Sequence, residues 1–133
     1  MKLRSFLILN AIMFIPFGIG MLTMPSFIFP MVGVDLDADG LVMASKVGSM
    51  LLSFGIICFF ARNEDLGAGG MKAILTGNLV FHTIDSFLTG KGALTEVMNP
   101  MGFMFSSMHF LFAVGFLIYL MQASKLGKQE IRA

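Results

Sequence analysis

Four runs of about twenty residues, each nearly free of charge, constrain this chain more than anything else in it: Ser5 to Met24, Val42 to Ala61, Met71 to Thr89 and Met101 to Met121. A helix of that length crosses the hydrocarbon layer of a bilayer and satisfies its own backbone polar groups on the way. The composition agrees, because 56% hydrophobic and 13% charged residues lie outside the balance of a soluble domain. The sequence therefore predicts an all-α integral membrane protein, one domain of 133 residues folded as a four-helix up-down bundle.

The third run is apolar yet carries Asn78, His82, Asp85 and Thr89, at spacings that form one narrow stripe on a helix. Lipid cannot face that stripe, since a carboxylate at membrane depth costs about 3 kcal/mol on insertion scales. The second run offers Lys46, Ser49 and Ser53 on one face and Gly48 and Gly55 on the opposite one. The fourth offers Ser106, Ser107 and His109, with Tyr119 as an interface anchor. With a rise of about 1.5 Å per residue measured from the middle of each run, Lys46 and Asp85 lie level, about 8 Å toward one face. His82 and His109 lie level as well, about 3 Å from the middle. The expectation is a buried polar cluster of Lys46, Ser49, Asn78, His82, Asp85, Ser106 and His109, in which Lys46 pairs with Asp85 and His82 and Asn78 bond to serines.

The segments between the runs are short. Pro16, Gly18 and Gly20 point to a kinked first span packed closely on a neighbour, retained rather than cleaved as a signal peptide. Pro25 to Val34 is broken by Pro25, Pro30 and Gly33, so it is expected to leave the helix and lie along the membrane interface, with Phe27 and Phe29 at the headgroups. Asp35, Asp37, Asp39 and Gly40 match the first half of a calcium loop, but Lys46 stands where an EF-hand places its bidentate glutamate. The competing reading is an acidic turn whose Asp39 caps the next helix. Residues 122–133 form a polar tail.

Positive charge sets the orientation. Lys2, Arg4, Arg62, Lys72, Lys125, Lys128 and Arg132 fall on one side and Lys91 alone on the other, so both termini are expected in the cytoplasm and the acidic turn outside. A net charge of +1 leaves no basic face for nucleic acid. The single Cys58 excludes an internal disulfide and reads as an apolar packing residue. The 13 methionines and 15 phenylalanines are spread over every run, as membrane-facing and packing surface would be.

Gly18-x-Gly20 before Pro25, then Gly33-Val34-x-Leu36, Gly48 and the closing Ala61-Arg62-Asn63 resemble, in layout, short four-span bacterial inner-membrane proteins of the DoxX-like kind. The resemblance implies a fold and a location in the inner membrane and no activity. No nucleophile stands beside a base and no glycine-rich phosphate loop is present, so no reaction can be named. Three roles are open to such a chain. The first is an accessory or scaffold subunit that self-associates or joins a larger membrane complex, with Gly48 and Gly55 as the contact. The second is a site for a proton, an ion or a small polar ligand in the cluster. The third is a haem b or quinone site, with His82 and His109 facing each other across the cofactor and Gly77 and Gly102 leaving room.

Overall fold

A computed structural model describes residues 1–130, with side chains through 126. These residues form helices and no strand, in the order α1 (Leu3–Thr23), α2 (Pro25–Met31), α3 (Ala38–Ala61), α4 (Met71–Leu94) and α5 (Met101–Glu130). Three of the helices are long and apolar enough to cross a membrane: α1, α3 and Met101–Leu126 of α5. The fourth, α4, carries the polar stripe together with Lys72 and Lys91 and falls short of that measure.

Glycine decides the first helix pair. A Cβ at Gly18 would lie 2.6 Å from the Leu52 nitrogen, and one at Gly48 would lie 2.8 Å from the Leu22 nitrogen, so α1 and α3 touch backbone to backbone. Gly55 admits Ile15 and Phe14 further along the same seam. The register runs antiparallel, with Leu22 beside Gly48, Ile15 beside Gly55 and Asn10 beside Cys58. Gly48 and Gly55 are therefore occupied within the chain by α1, not presented to a second copy.

Helices α4 and α5 make the second pair, also antiparallel. Gly102 admits Ala93 at one end, and Ser86 and Ser106 exchange hydroxyl-to-carbonyl bonds of 2.9 and 2.8 Å further along. The two pairs meet through side chains of α1 and of α3, the latter including Cys58 and Ala61. Phe6 packs on Phe112, Phe116 and Tyr119 of α5, and Leu7, Ala11, Met71, Leu75 and Ala123 complete a dry apolar core at that end. Tyr119 donates to the Met1 carbonyl at 2.6 Å, which fastens the start of the chain to α5.

The opposite end is closed by α2. Pro25 to Val34 leaves the first helix as expected, and Pro25 starts a separate seven-residue helix, where a missing N–H costs nothing, with Pro30 near its end. Phe27 is exposed, whereas Phe29 lines a cavity. Gly33 has φ +81°, and the Asn99 nitrogen packs 3.0 Å from where its Cβ would be. Asn99 donates from its backbone to the Val32 carbonyl at 2.8 Å and from its side chain to the Met31 carbonyl at 2.9 Å. The loop before α5 thus clamps the end of α2 in place.

Asp37, rather than Asp39, caps α3, accepting from the Gly40 nitrogen at 2.8 Å. Asp39 sits in the first turn, where a carboxylate favours the helix dipole. Asp35, Asp37 and Asp39 form no metal-binding group among the described residues. Helix α5 continues past Met121 into the stretch read as a tail. Of the charges used for orientation, the side chain of Lys128 and all of Arg132 lie outside the described residues.

Candidate functional site

Where the helix pairs meet, at the cavity side of the dry core, four helices contribute side chains to one unbroken hydrogen-bonded line. Asp85 Oδ2 lies 3.0 Å from His109 Nε2. His109 Nδ1 lies 3.0 Å from His82 Nδ1, and His82 Nε2 lies 2.9 Å from Asn10 Oδ1. Asn10 Nδ2 reaches Asn78 Oδ1 and Cys58 Sγ, both at 3.3 Å, and Asn78 Nδ2 ends the line on the Ile74 carbonyl at 2.9 Å. Asn10, Asn78 and His82 are at most 1% exposed. His82 is held flat between Phe14 and Phe112, with both ring centroids 5.0 Å away.

The direction of every bond follows from one fixed point. The Ile74 carbonyl can only accept, so the Asn78 group facing it is the NH2, and the Asn78 carbonyl faces Asn10. Asn10 then turns its NH2 toward Asn78 and Cys58 and its carbonyl toward His82, which makes His82 Nε2 a donor. Two contacts remain, Nδ1 to Nδ1 and Nε2 to Oδ2, and each needs one hydrogen. A neutral His109 brings only one. Filling both requires one proton more than two neutral imidazoles and a carboxylate carry, and that proton also makes the cluster electrically neutral, as burial favours. It can sit on Asp85, His109 or His82, and hops along two hydrogen bonds of 3.0 Å connect the three positions. Asn10 does not titrate, so the relay is closed at that end and open only at Asp85.

Asp85 is the outermost member, its side chain 32% exposed. It lines, with His109 and Thr89, a cavity of about 250 Å³ enclosed by α1, α2, α4 and α5 and by Val47 and Leu51 of α3. The rest of the wall is methionine, phenylalanine and branched aliphatic, including Phe14, Phe29, Phe81 and Met108. Ser86 and Ser106 sit beside the acid, tied to each other's backbone.

The expected cluster is only partly assembled. The structure brings together Asn78, His82, Asp85 and His109, with Ser106 adjacent through Ser86. Lys46 and Ser49 are elsewhere: both are exposed on the outer face of α3, and Ser49 bonds to the Lys46 carbonyl at 2.7 Å. The partner of Asp85 is His109, not Lys46. Close packing of α1 takes the glycine face of α3, and Lys46, two residues from Gly48, points the other way. Nor do His82 and Asn78 bond to serines; both bond to Asn10.

Asn10 is the residue the sequence reading passed over, although a lone asparagine in the uncharged run Ser5 to Met24 raises the same demand for a partner as the stripe on α4. Cys58, read as packing, also accepts from Asn10. The two imidazoles touch directly and use their remaining nitrogens on Asn10 and Asp85. No family model, curated protein or solved structure matches the chain.

Proposed function

We propose that the chain is a four-helix up-down bundle of the bacterial inner membrane, both termini cytoplasmic, that binds a proton in its core and a small ligand in the adjoining cavity. Three apolar helices, the bias of positive residues and the DoxX-like layout support the location. The antiparallel registers of α1 with α3 and of α4 with α5 support the topology. One observation carries the functional reading: the hydrogen-bonded line can be filled only by taking up a proton, and its open end is a carboxyl group on the wall of an apolar cavity. A structural cluster needs neither feature. Polar groups that merely hold helices together are satisfied without a shared proton, and they have no reason to front a cavity.

Infrared difference spectroscopy across a pH titration tests the proton. The parent should show a carboxyl band, or imidazolium bands, that come and go with a single proton, and Asp85→Asn should abolish that titration while the helices stay folded. Identical titrations in parent and variant would end the reading.

A second reading keeps the scaffold role, carried by a strip on the outer face of α3. Lys46, Ser49 and Ser53 are exposed there, and the two serines bridge a groove with Met50 and Ile57. Polar residues on a lipid-facing surface favour a second copy of the chain or another membrane subunit. Native mass spectrometry from a lipid-like detergent that finds only monomer without partners would count against it.

A further inference from the structure

The chemistry of the cavity narrows the ligand, on the assumption that the proton-binding reading above holds. We infer that the cavity takes a lipophilic organic cation, an ammonium with apolar substituents, and that each cation bound displaces the one mobile proton of the Asp85, His109 and His82 relay.

Three observations lead there. First, five phenylalanines line the space, Phe14 and Phe17 from α1, Phe29 from α2, Phe81 from α4 and Phe105 from α5. Phenyl faces attract cations, and rings around a desolvated site are how quaternary ammonium groups are recognised. Methionine sulfurs fill much of the remaining wall and are polarizable in the same sense.

Second, among the described residues the only charged or titratable groups on the wall are Asp85 and His109. No lysine or arginine lines it, α2 contributes no titratable group, and α1 contributes Asn10 only behind His82. On α3, Lys46 is exposed outside the site, and Cys58 lies at the closed Asn10 end. A bound cation therefore meets one carboxylate and no competing positive side chain.

Third, the site is neutral when it holds its proton. Adding a cation without losing that proton would leave a net positive charge in a low-dielectric space, whereas exchanging one for the other preserves neutrality. The proton leaves to solvent, Asp85 stays ionised opposite the cation, and His109 keeps its Nε2 hydrogen on Asp85. The only hydrogen bond lost is the one between the two Nδ1 atoms. A larger adjoining space of about 620 Å³, sharing Met13, Phe17, Ile28, Val32, Phe105 and Met108 with the cavity, offers room for an apolar substituent to extend between α1, α2 and α5.

The test pairs a cation with its neutral carbon isostere. Purified full-length protein in detergent is titrated calorimetrically with benzyltrimethylammonium and, separately, with neopentylbenzene, in two buffers of different ionisation enthalpy. The expected result is saturable binding of the cation with one proton released. Its apparent affinity should fall about tenfold for each pH unit lowered through the range where the relay is protonated. Asp85→Asn should weaken the cation at least about tenfold and leave the isostere unchanged. Nitrogen NMR of the histidines should show loss of the bond between the Nδ1 atoms on cation binding. Cation binding without proton release, or undiminished in Asp85→Asn, overturns the exchange. Binding of the isostere alone overturns the cation while leaving a cavity for neutral ligands such as a quinone headgroup. If neither binds, the ligand reading of the cavity falls too.

Discussion

Replacing Asn10 with leucine is the sharpest probe of the relay, because leucine keeps the branched skeleton of the side chain, with somewhat greater bulk, and removes its polar atoms. Asn10 is fully buried and makes three bonds, donating to Asn78 and Cys58 and accepting from His82 at 2.9 Å. The variant strands the His82 Nε2 hydrogen, which costs about 1–3 kcal/mol for a buried donor without a partner. Asn78 is stranded only in part, since its carbonyl keeps the Cys58 thiol 3.5 Å away. A lost interhelical bond in a membrane averages only about 0.6 kcal/mol, because the separated helices also find partners. The stranded donor outweighs it, and we expect a loss of about 2 kcal/mol in reversible unfolding from mixed detergent. Because the cost resides at His82, Asn10→Leu and His82→Leu together should cost less than their sum by about 1 kcal/mol. The same substitution unlocks the direction of the line, so nitrogen NMR should find His82 no longer fixed with its hydrogen on Nε2. A loss below about 0.5 kcal/mol with an additive double mutant would refute the assigned roles.

Other substitutions separate the parts. Gly48→Ala places a methyl group 2.8 Å from the Leu22 nitrogen, so α1 must move, and a loss of about 1–3 kcal/mol in the same unfolding assay is expected. Lys46→Ala should change stability by no more than about 0.5 kcal/mol and leave the proton titration intact, since Lys46 touches none of the relay; a shifted titration would restore the ion pair with Asp85. Gly33→Ala forces a side chain into φ +81° against Asn99, which should cost about 1–2 kcal/mol and speed hydrogen exchange across α2, while unchanged exchange would mean that the clamp does not hold it.

Helical class and the existence of long apolar spans are legible residue by residue, because in a bilayer no other open-ended structure satisfies the backbone. So is the meeting of His82 and His109. His82 lies at the middle of α4 and His109 near the middle of the apolar run Met101 to Met121, and antiparallel neighbours bring equal depths together. The stripe on α4 likewise announces its need for partners, since the cost of a carboxyl group in lipid belongs to the residue and not to the fold.

Which partners answer it depends on how the helices are rotated, and rotation is a property of pairs. Helix α3 has a glycine face and a Lys46 face that both call for protein, and nothing local ranks them. The ranking comes from α1, whose Gly18 lets the two backbones close on the glycine side and turns Lys46 outward. With that rotation fixed, His109 is left to meet Asp85, and Asn10 of α1 comes to face α4. The sequence by itself determines that the chain is helical, apolar and carries polar groups that lipid will not accept. The tertiary structure alone decides that these groups join end to end, because depth follows from position along one helix, while direction follows from the close packing of two.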